Sequence, residues 1–496
     1  MRDVRWADFD GRDVVTWLQD RSESDRPAIT WVPFDGPART WTYRDLVSDV
    51  LSTAGGLQSA GMGRGTIIGL LMDNCPQMVI GWFAAVAAGA SALCINARAG
   101  AEEISWIAEH SGAGLFLVDT EHRGLAQRSL PDSSRIIDAT SALPLGETWT
   151  APDLDPRALA SVQYTSGTTS RPKGVRWTHA NCLWAAHVNA THQELNDSDV
   201  YLVTLPLFHT NALAYQLLPA LQVGAHVILQ PRFSSSRFWD VSTTYACTWT
   251  GVVHFIVRAL RDIPAPPDHD YRGWAGSTVQ HADTTPAGVS ITGWFGMTET
   301  ISHPICAPPS QVDALPPDSI GRPSPEYRVR IDSDTSDSGE LSVQGVRGIS
   351  LFDGYLNDEE ATSQVLTDDG WFRTGDRIRA DEAGNYFFVE RIGDVLKVGG
   401  ENVGAGEIER VLAAVPGVRE VAVVARPDPM LGQVPVAFVI GDDPTQLEPA
   451  LRNAAQVGLA EFKRPSEYRF VADFPRATLN KVAKARLRRE LQEEDR

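Results

Sequence analysis

The strongest constraint on the fold is the alternation of short apolar runs with helical patterns through the first third of the chain. "GTIIGLLM" (Gly65–Met72) is a run of buried-strand type, and a helical stretch from Gln77 to Ala88 stops at Gly89. "ASALCIN" then returns as a strand, "AEEISWIAEH" is a second helix and "GLFLVD" a further strand. Repeated strand–helix–strand alternation predicts a parallel sheet covered by helices. Upstream, Thr42 can cap a helix with Asp45 in its first turn and Leu46, Val50, Leu51, Ala54 and Leu57 as its apolar stripe. At 496 residues the chain is too long for one core, so two or more domains are expected.

The pattern changes after the Pro-rich breaks "IPAPPDHD" (Ile263–Asp270) and "APPSQVDALPPDS" (Ala307–Ser319). "YRVRID" and "GELSVQG" flank the acidic, Ser-rich "SDTSDS" and predict an antiparallel hairpin. From about Gly393 the pattern is compact α+β. A helix runs near Ala405 to Ala414, "VREVAVVARP" and "VPVAFVIG" read as strands, and a basic helix ends the chain. There is no internal repeat.

Composition removes several function classes. The net charge of −19 and pI near 5.0 argue against nucleic acid as a partner and fit a cytoplasmic protein. Cys75, Cys94, Cys182, Cys247 and Cys306 are widely spaced with no C-x-x-C pair, so they read as buried free thiols. The mixed-charge N-terminus lacks the apolar core of a signal peptide. Two stretches free of Asp, Glu, Lys and Arg, Pro76–Ala97 and Val200–Pro231, reach membrane-spanning length. Gly89 and Ser91 punctuate the first, and Pro206, Pro219 and two histidines the second. Each therefore reads as a buried helix, a turn and a strand, and no membrane span is expected.

The segment richest in chemistry is "QYTSGTTSRPKGVRWTH" (Gln163–His179). Its flanks read as a strand and as a helix capped by Thr178, so the Ser/Thr/Gly stretch is a loop at a strand's carboxyl end. Hydroxyls and backbone N–H groups there can donate to phosphate oxygens while Lys173 supplies charge. The order Pro172-Lys173-Gly174 excludes a Walker A motif.

"YTSGTTSRPKGV" resembles the phosphate-binding signature of the acyl-adenylate-forming superfamily, which includes acyl-CoA synthetases, peptide-synthetase adenylation domains and luciferases. Other motifs similar to that superfamily's follow "TWTYRDL" in order: "PLFHTNAL" (Pro206–Leu213), "GWFGMTET" (Gly293–Thr300), "DGYLNDEEATSQVLTDDGWFRTGD" ending at Asp376, "RIGDVLKVGGENVGAGEIE" (Arg391–Glu409) and "FPRATLNKVAKARL". The loop and "PLFHTNA" are most similar to carnitine/crotonobetaine-type and related small-acid ligases. The resemblance implies a large N-terminal domain, 1–392, of helix-covered parallel sheets with a β-rich subdomain at about 320–392. It implies a small mobile α+β C-terminal domain, 393–496, hinged at Gly393.

The activity implied is two-step: a carboxylate attacks the α-phosphorus of ATP, giving an acyl-adenylate and pyrophosphate, and a thiol, usually coenzyme A, then displaces AMP. By resemblance Thr165, Ser166, Gly167, Thr168, Thr169 and Lys173 hold the β- and γ-phosphates, Thr298 adds a hydroxyl and Glu299 ligates Mg²⁺. Phe295 stacks on adenine, Asp376 accepts the ribose hydroxyls with Arg391 in support, and Lys481 bridges the substrate carboxylate and the α-phosphate. Gly399 and Gly400 let backbone approach a pantetheine arm. His209, Asn211, His254, Gly276 and Trp294 surround the acid, and Trp294 with Phe295 suggests a compact or aromatic one. His209 reads as a gating, packed or proton-transferring side chain alike.

Four positions depart from the usual pattern: Ser170 replaces a glycine, Gly393 a charged hinge residue and Asn480 the glycine before the catalytic lysine, and Gly404-Ala405-Gly406 lacks a proline. Three functions stay open at this level. The first is an ATP-dependent acid–CoA ligase. The second is an adenylating enzyme with another acceptor, such as nitrite activation for diazotisation of an aromatic amine in secondary metabolism, or carrier-protein loading. The third is a non-catalytic nucleotide-binding relative. The partner expected is a small carboxylic acid, with monomer and homodimer both open.

Overall fold

Thr42 and Thr178 start the helices that the sequence assigns to them. The Thr42 hydroxyl accepts from the Asp45 backbone N–H at 3.1 Å while the Asp45 carboxylate accepts from that of Thr42 at 3.1 Å. Thr178 and Asn181 form the same reciprocal box, satisfying backbone donors that a helix start leaves open. In this computed structural model, residues 4–494 are described apart from 141–142, 147, 154, 166–170, 334–337, 392–394, 476–481 and 483.

Contacts divide the chain into two units. One comprises Met1–Ala97, Ile104–Tyr164 and Gly174–Glu390; the other comprises Arg98–Glu103, Thr165–Lys173 and Arg391–Arg496. The first holds two large sheets. A six-stranded sheet runs Arg135–Asp138, Leu115–Val118, Ile67–Leu71, Ser91–Cys94, Leu159–Thr165, Lys173–Thr178, and its first five strands pair in parallel. A seven-stranded sheet runs Ile291–Thr292, Gly273–Ala275, Trp249–Gly251, Val200–Val203, His226–Leu229, Pro27–Trp31, Arg39–Thr42, antiparallel only at its last pair. The all-buried strands Ser91–Cys94 and Leu115–Val118 are covered on both faces, as parallel sheets require.

The first uncharged stretch forms the helix Pro76–Ala87 and the strand Ser91–Cys94, as expected. The second contains more than one helix, one turn and one strand. It begins as the strand Val200–Val203, continues as α-helix Thr210–Ala212, π-helix Leu213–Leu217 and α-helix Leu218–Val223, and ends in the strand His226–Leu229. Among the described residues no helix is long and apolar enough to cross a membrane. All five cysteines are free, and Cys75 alone is only partly buried.

"YRVRID" and "GELSVQG" pair antiparallel as predicted, Arg328–Ser333 against Ser338–Gln344, in a four-stranded sheet completed by Trp371–Ala380 and Tyr386–Arg391. In the second unit, Val418–Asp428 and Gly432–Gly441 form a long hairpin. The helix Ala405–Ala413 buries Ile408 and Leu412 in a core with Val423, Ala437 and Leu451.

Candidate active site

The parallel direction of the seven-stranded sheet decides which candidate residues come together. The strands Val200–Val203, Trp249–Gly251, Gly273–Ala275 and Ile291–Thr292 all deliver their carboxyl ends to one edge. Directly after them come the segment holding His209 and Asn211, then His254, Gly276 and Trp294. The carboxyl edge of such a sheet is where α/β proteins bind ligands. Gly276 is buried, with its N–H donating to the Thr292 carbonyl at 3.1 Å. His209 is partly buried, its ring edge-on to Phe208. His254 opens the helix His254–Leu260 and is exposed.

Past the sheet edge, Trp294–Phe295 pairs antiparallel with Ile305–Cys306, and both aromatics are buried. Chain then turns tightly at Thr298–Thr300, with Thr300 and Ile301 N–H groups both donating to the Met297 carbonyl at 3.1 Å. Ile301 lies at φ 52°, strained for a β-branched residue, immediately after the turn. Trp177 Nε1 donates to the Thr298 carbonyl at 2.9 Å, and the Phe352 N–H to that of Glu299 at 2.8 Å. The turn is thereby anchored from two other segments.

Its side chains connect the expected subsites. The hydroxyls of Thr298 and Thr210 lie 2.9 Å apart, joining "GMTE" to the "PLFHTNAL" segment. Glu299 is buried, and the Tyr355 hydroxyl donates to its Oε1 at 2.9 Å. Among the described residues no group of three His, Cys, Asp or Glu could hold a metal. A single oriented carboxylate fits Mg²⁺, which takes one or two carboxylates and completes its shell with water and substrate phosphates.

Asp376 is buried near the middle of the strand Trp371–Ala380. Register slips there: Glu340 faces Arg377 but Ser342 faces Arg373. The two extra residues are taken up around Gly375, at φ 72°, whose N–H donates to Glu340 Oε1 at 3.1 Å. An even number of extra residues keeps the alternation of faces, so Asp376 is buried on the same side as Thr374 and Ile378.

The phosphate-type loop is described only at its ends. Thr165 closes the strand Leu159–Thr165 and Lys173 opens Lys173–Thr178; both are partly buried, and Ser166, Gly167, Thr168, Thr169 and Ser170 lie outside the described residues. Within the first unit the flanks Tyr164 and Gly174 touch: a Cβ on Gly174 would come 3.1 Å from the Tyr164 ring. Tyr164 is pinned by His110, Nδ1 to phenol oxygen 2.6 Å, whose ring stacks on Trp106 at 4.6 Å. Arg391 ends the strand Tyr386–Arg391, with its side chain undescribed, and Gly393, Asn480 and Lys481 also lie outside the described residues.

Gly399 and Gly400 form the two-residue turn between Val395–Val398 and Glu401–Gly404, at φ 58° and 92°. Two consecutive positive φ values are what a tight hairpin demands. This turn is a sufficient reason for both glycines without any ligand.

Three contributors were invisible to motif reading. Tyr355 reaches Glu299 from 56 residues away. His303, fully buried, stacks on Trp294 with centroids 4.1 Å apart and planes 7° from parallel, and Tyr215 packs edge-on to both rings. Burial, reinforced by His192 nearby, pushes the His303 pKa well below its ordinary value, so the imidazole backing Trp294 is neutral. Gln216, also fully buried, lies against Gly251 at the sheet edge. No sequence pattern marks these contacts: Tyr355–Glu299 and Gln216–Gly251 join distant segments, and His303 reaches Trp294 across the strand pairing of Trp294–Phe295 with Ile305–Cys306.

Helix-covered parallel sheets, a β-rich sheet after them and a small α+β C-terminal unit are the architecture of an adenylating enzyme. The AMP-binding enzyme family matches residues 17–356, and its C-terminal domain matches 407–481. The chain belongs to the AMP-binding enzyme family, as an enzyme of acyl-CoA synthetase type. It is 30% identical over 498 residues to crotonobetaine/carnitine–CoA ligase of Salmonella paratyphi B, covering 94% of this chain and 96% of that one. Among solved structures it is similar to o-succinylbenzoate CoA synthetase of Bacillus subtilis bound to a product analogue, with a TM-score of 0.82 and 26% identity over 95% of this chain and 98% of that one. It is also similar to a malonyl-CoA ligase bound to methylmalonyl-CoA and AMP, with a TM-score of 0.75 and 27% identity over 91% and 97%.

Proposed function

We propose that this enzyme is an ATP-dependent acid–CoA ligase acting in the cytoplasm on a compact or aromatic carboxylic acid. The observation that carries the reading is the Thr298–Glu299 turn. Its hydroxyl meets Thr210 of the acyl segment, and its carboxylate is buried and oriented by Tyr355. Such a turn couples acid binding to phosphate chemistry within one rigid element.

The acid occupies the sheet edge among His209, Asn211, Gly276 and Trp294, with exposed His254 at its rim. Trp294, held in a cluster with His303 and Tyr215, limits the depth available and so favours a short or flat acid. Phe295 packs against adenine, while Asp376 accepts from the ribose hydroxyls, aided by Arg391. Thr165, Ser166, Gly167, Thr168, Thr169 and Lys173 hold the β- and γ-phosphates, and Thr298 adds a hydroxyl. Glu299 would hold Mg²⁺, which would supply positive charge at the phosphate oxygens. Lys481 places its ammonium between the acid carboxylate and the α-phosphate, where negative charge develops. Gly393 is the pivot of the C-terminal domain, 393–496, and the Gly399-Gly400 turn passes the pantetheine arm during thioester formation.

The test is acid-dependent exchange of labelled pyrophosphate into ATP across a panel of small and aromatic acids, followed by CoA-dependent thioester and AMP release. Exchange and thioester with a common acid are expected. AMP release that needs nitrite and an aromatic amine but no carboxylate would instead establish the diazotising activity. Exchange without transfer to free CoA would establish carrier loading.

A further inference from the structure

The helical segment Thr210–Val223 changes pitch at Leu213–Leu217, where it is π-helical. A π turn closes its hydrogen bonds between residues five apart and is frequent at functional sites. Asn211 and Gln216 are five apart, and Gln216 Nε2 donates to Asn211 Oδ1 at 3.0 Å. The Gln216 amide lies flat on Gly251, the last residue of its strand. A Cβ there would come 2.2 Å from Nε2 and 2.9 Å from Oε1. Gln216 thus forms part of the wall at the sheet edge, behind partly buried Asn211.

Gln216 is 0% exposed, and its Oε1 has no hydrogen-bond partner among the described residues. A buried acceptor left open costs about 1–3 kcal/mol, which Met or Leu at this position would avoid. Two amides that share one hydrogen bond leave one C=O and one NH₂ unmatched, whichever way each is turned. The pair therefore keeps an unmatched acceptor on Gln216 and an unmatched donor on Asn211, which a ligand hydroxyl, acceptor and donor at once, can complement.

We infer that the Asn211–Gln216 pair selects a compact acid bearing a hydroxyl away from its carboxylate over the hydrocarbon acid of the same size. The inference rests on the reading that the acid binds at this sheet edge. Gln216 acts in part through Asn211 and is a positioning residue; Asn211 meets the acid.

The test compares matched acids in pyrophosphate exchange: the 2-, 3- and 4-hydroxybenzoates against benzoate, and 3- and 4-hydroxybutyrate against butyrate. The expected result is a kcat/KM at least about tenfold higher for the best hydroxy acid than for its hydrocarbon match. Gln216→Met and Asn211→Leu should each bring that ratio to within about twofold of one, while the KM for ATP stays at the wild-type value. Gln216→Glu, which retains an acceptor, should keep part of the preference. A purely structural role would lower kcat for both acids alike and leave the ratio unchanged. The inference is overturned if the wild-type enzyme uses benzoate or butyrate as well as every hydroxy acid, or if neither apolar variant moves the ratio. Should Gln216→Met fail to fold, the wild-type ratio and Asn211→Leu decide. Exchange with none of these acids, while another compact or aromatic acid supports it, would overturn the inference and leave the ligase reading standing; exchange with no acid at all would count against the ligase reading.

Discussion

Replacing Tyr355 by Phe removes one oxygen and nothing else from the group that orients Glu299. The phenol donates to Glu299 Oε1 at 2.9 Å, and both side chains are buried, so water cannot replace the lost bond cheaply. The Tyr355 ring keeps its edge-on contact with Phe352, and its backbone N–H keeps its 2.9 Å bond to Thr362 Oγ1, so the local packing survives. A hydrogen bond to a charged group contributes about 1.5–3 kcal/mol. At 1.36 kcal/mol per decade, its loss should lower kcat/KM for Mg·ATP roughly ten- to 150-fold. Pyrophosphate exchange measured over a Mg²⁺ titration reads this directly, and denaturant unfolding checks that global stability falls by no more than about 3 kcal/mol and the enzyme stays folded. Glu299→Gln and the double variant complete a cycle: with the carboxylate gone, Tyr355→Phe should cost little more. Exchange within twofold of wild type in a folded Tyr355→Phe enzyme, or additive losses in the double variant, would refute the role given to this pair.

Other predictions follow from the same geometry. Lys481→Ala should abolish pyrophosphate exchange yet leave the Kd for ATP, by calorimetry, within a few-fold of wild type; retained exchange would remove Lys481 from the chemistry. Asn181 is buried and donates from Nδ2 to the Ile349 and Leu351 carbonyls at 2.6 and 2.9 Å, so Asn181→Leu should cost about 3 kcal/mol in denaturant unfolding. A loss below about 1 kcal/mol would mean that those carbonyls find other donors. Burial pushes the His226 pKa down to about 4 from an unfolded value near 6.5, so folding favours its neutral form. Its contribution is full above pH 6.5 and declines as the pH falls toward 4, by about 1 kcal/mol at pH 5 once solvent screening is allowed for. His226→Gln should therefore lose less stability than wild type between pH 7 and 5; equal losses would contradict this.

What the sequence reveals here is local, and what it hides is the joining of distant segments. Thr42 and Thr178 were legible as caps because the reciprocal bond spans three residues. The hairpin around "SDTSDS" was legible because its strands are adjacent in the chain. Motif residues met at one sheet edge because a parallel sheet delivers successive strand ends to the same side. The π turn left no trace, since an apolar run with Pro219 has the same composition in either helix type. Nor could spacing predict that Tyr355 would orient Glu299, that His303 would stack on Trp294, or that Gly251 would make room for Gln216. The irregular register beside Asp376 is likewise a property of the pairing, set by a slip between Glu340 and Ser342.

The most direct test of the account is a single-turnover reaction with ATP, Mg²⁺, one acid from the panel and CoA, followed by quenching and separation of the nucleotides and acyl products. The account predicts that acyl-AMP appears first and decays into acyl-CoA and AMP in equal amounts. AMP formed without acid, or ADP in its place, would contradict it.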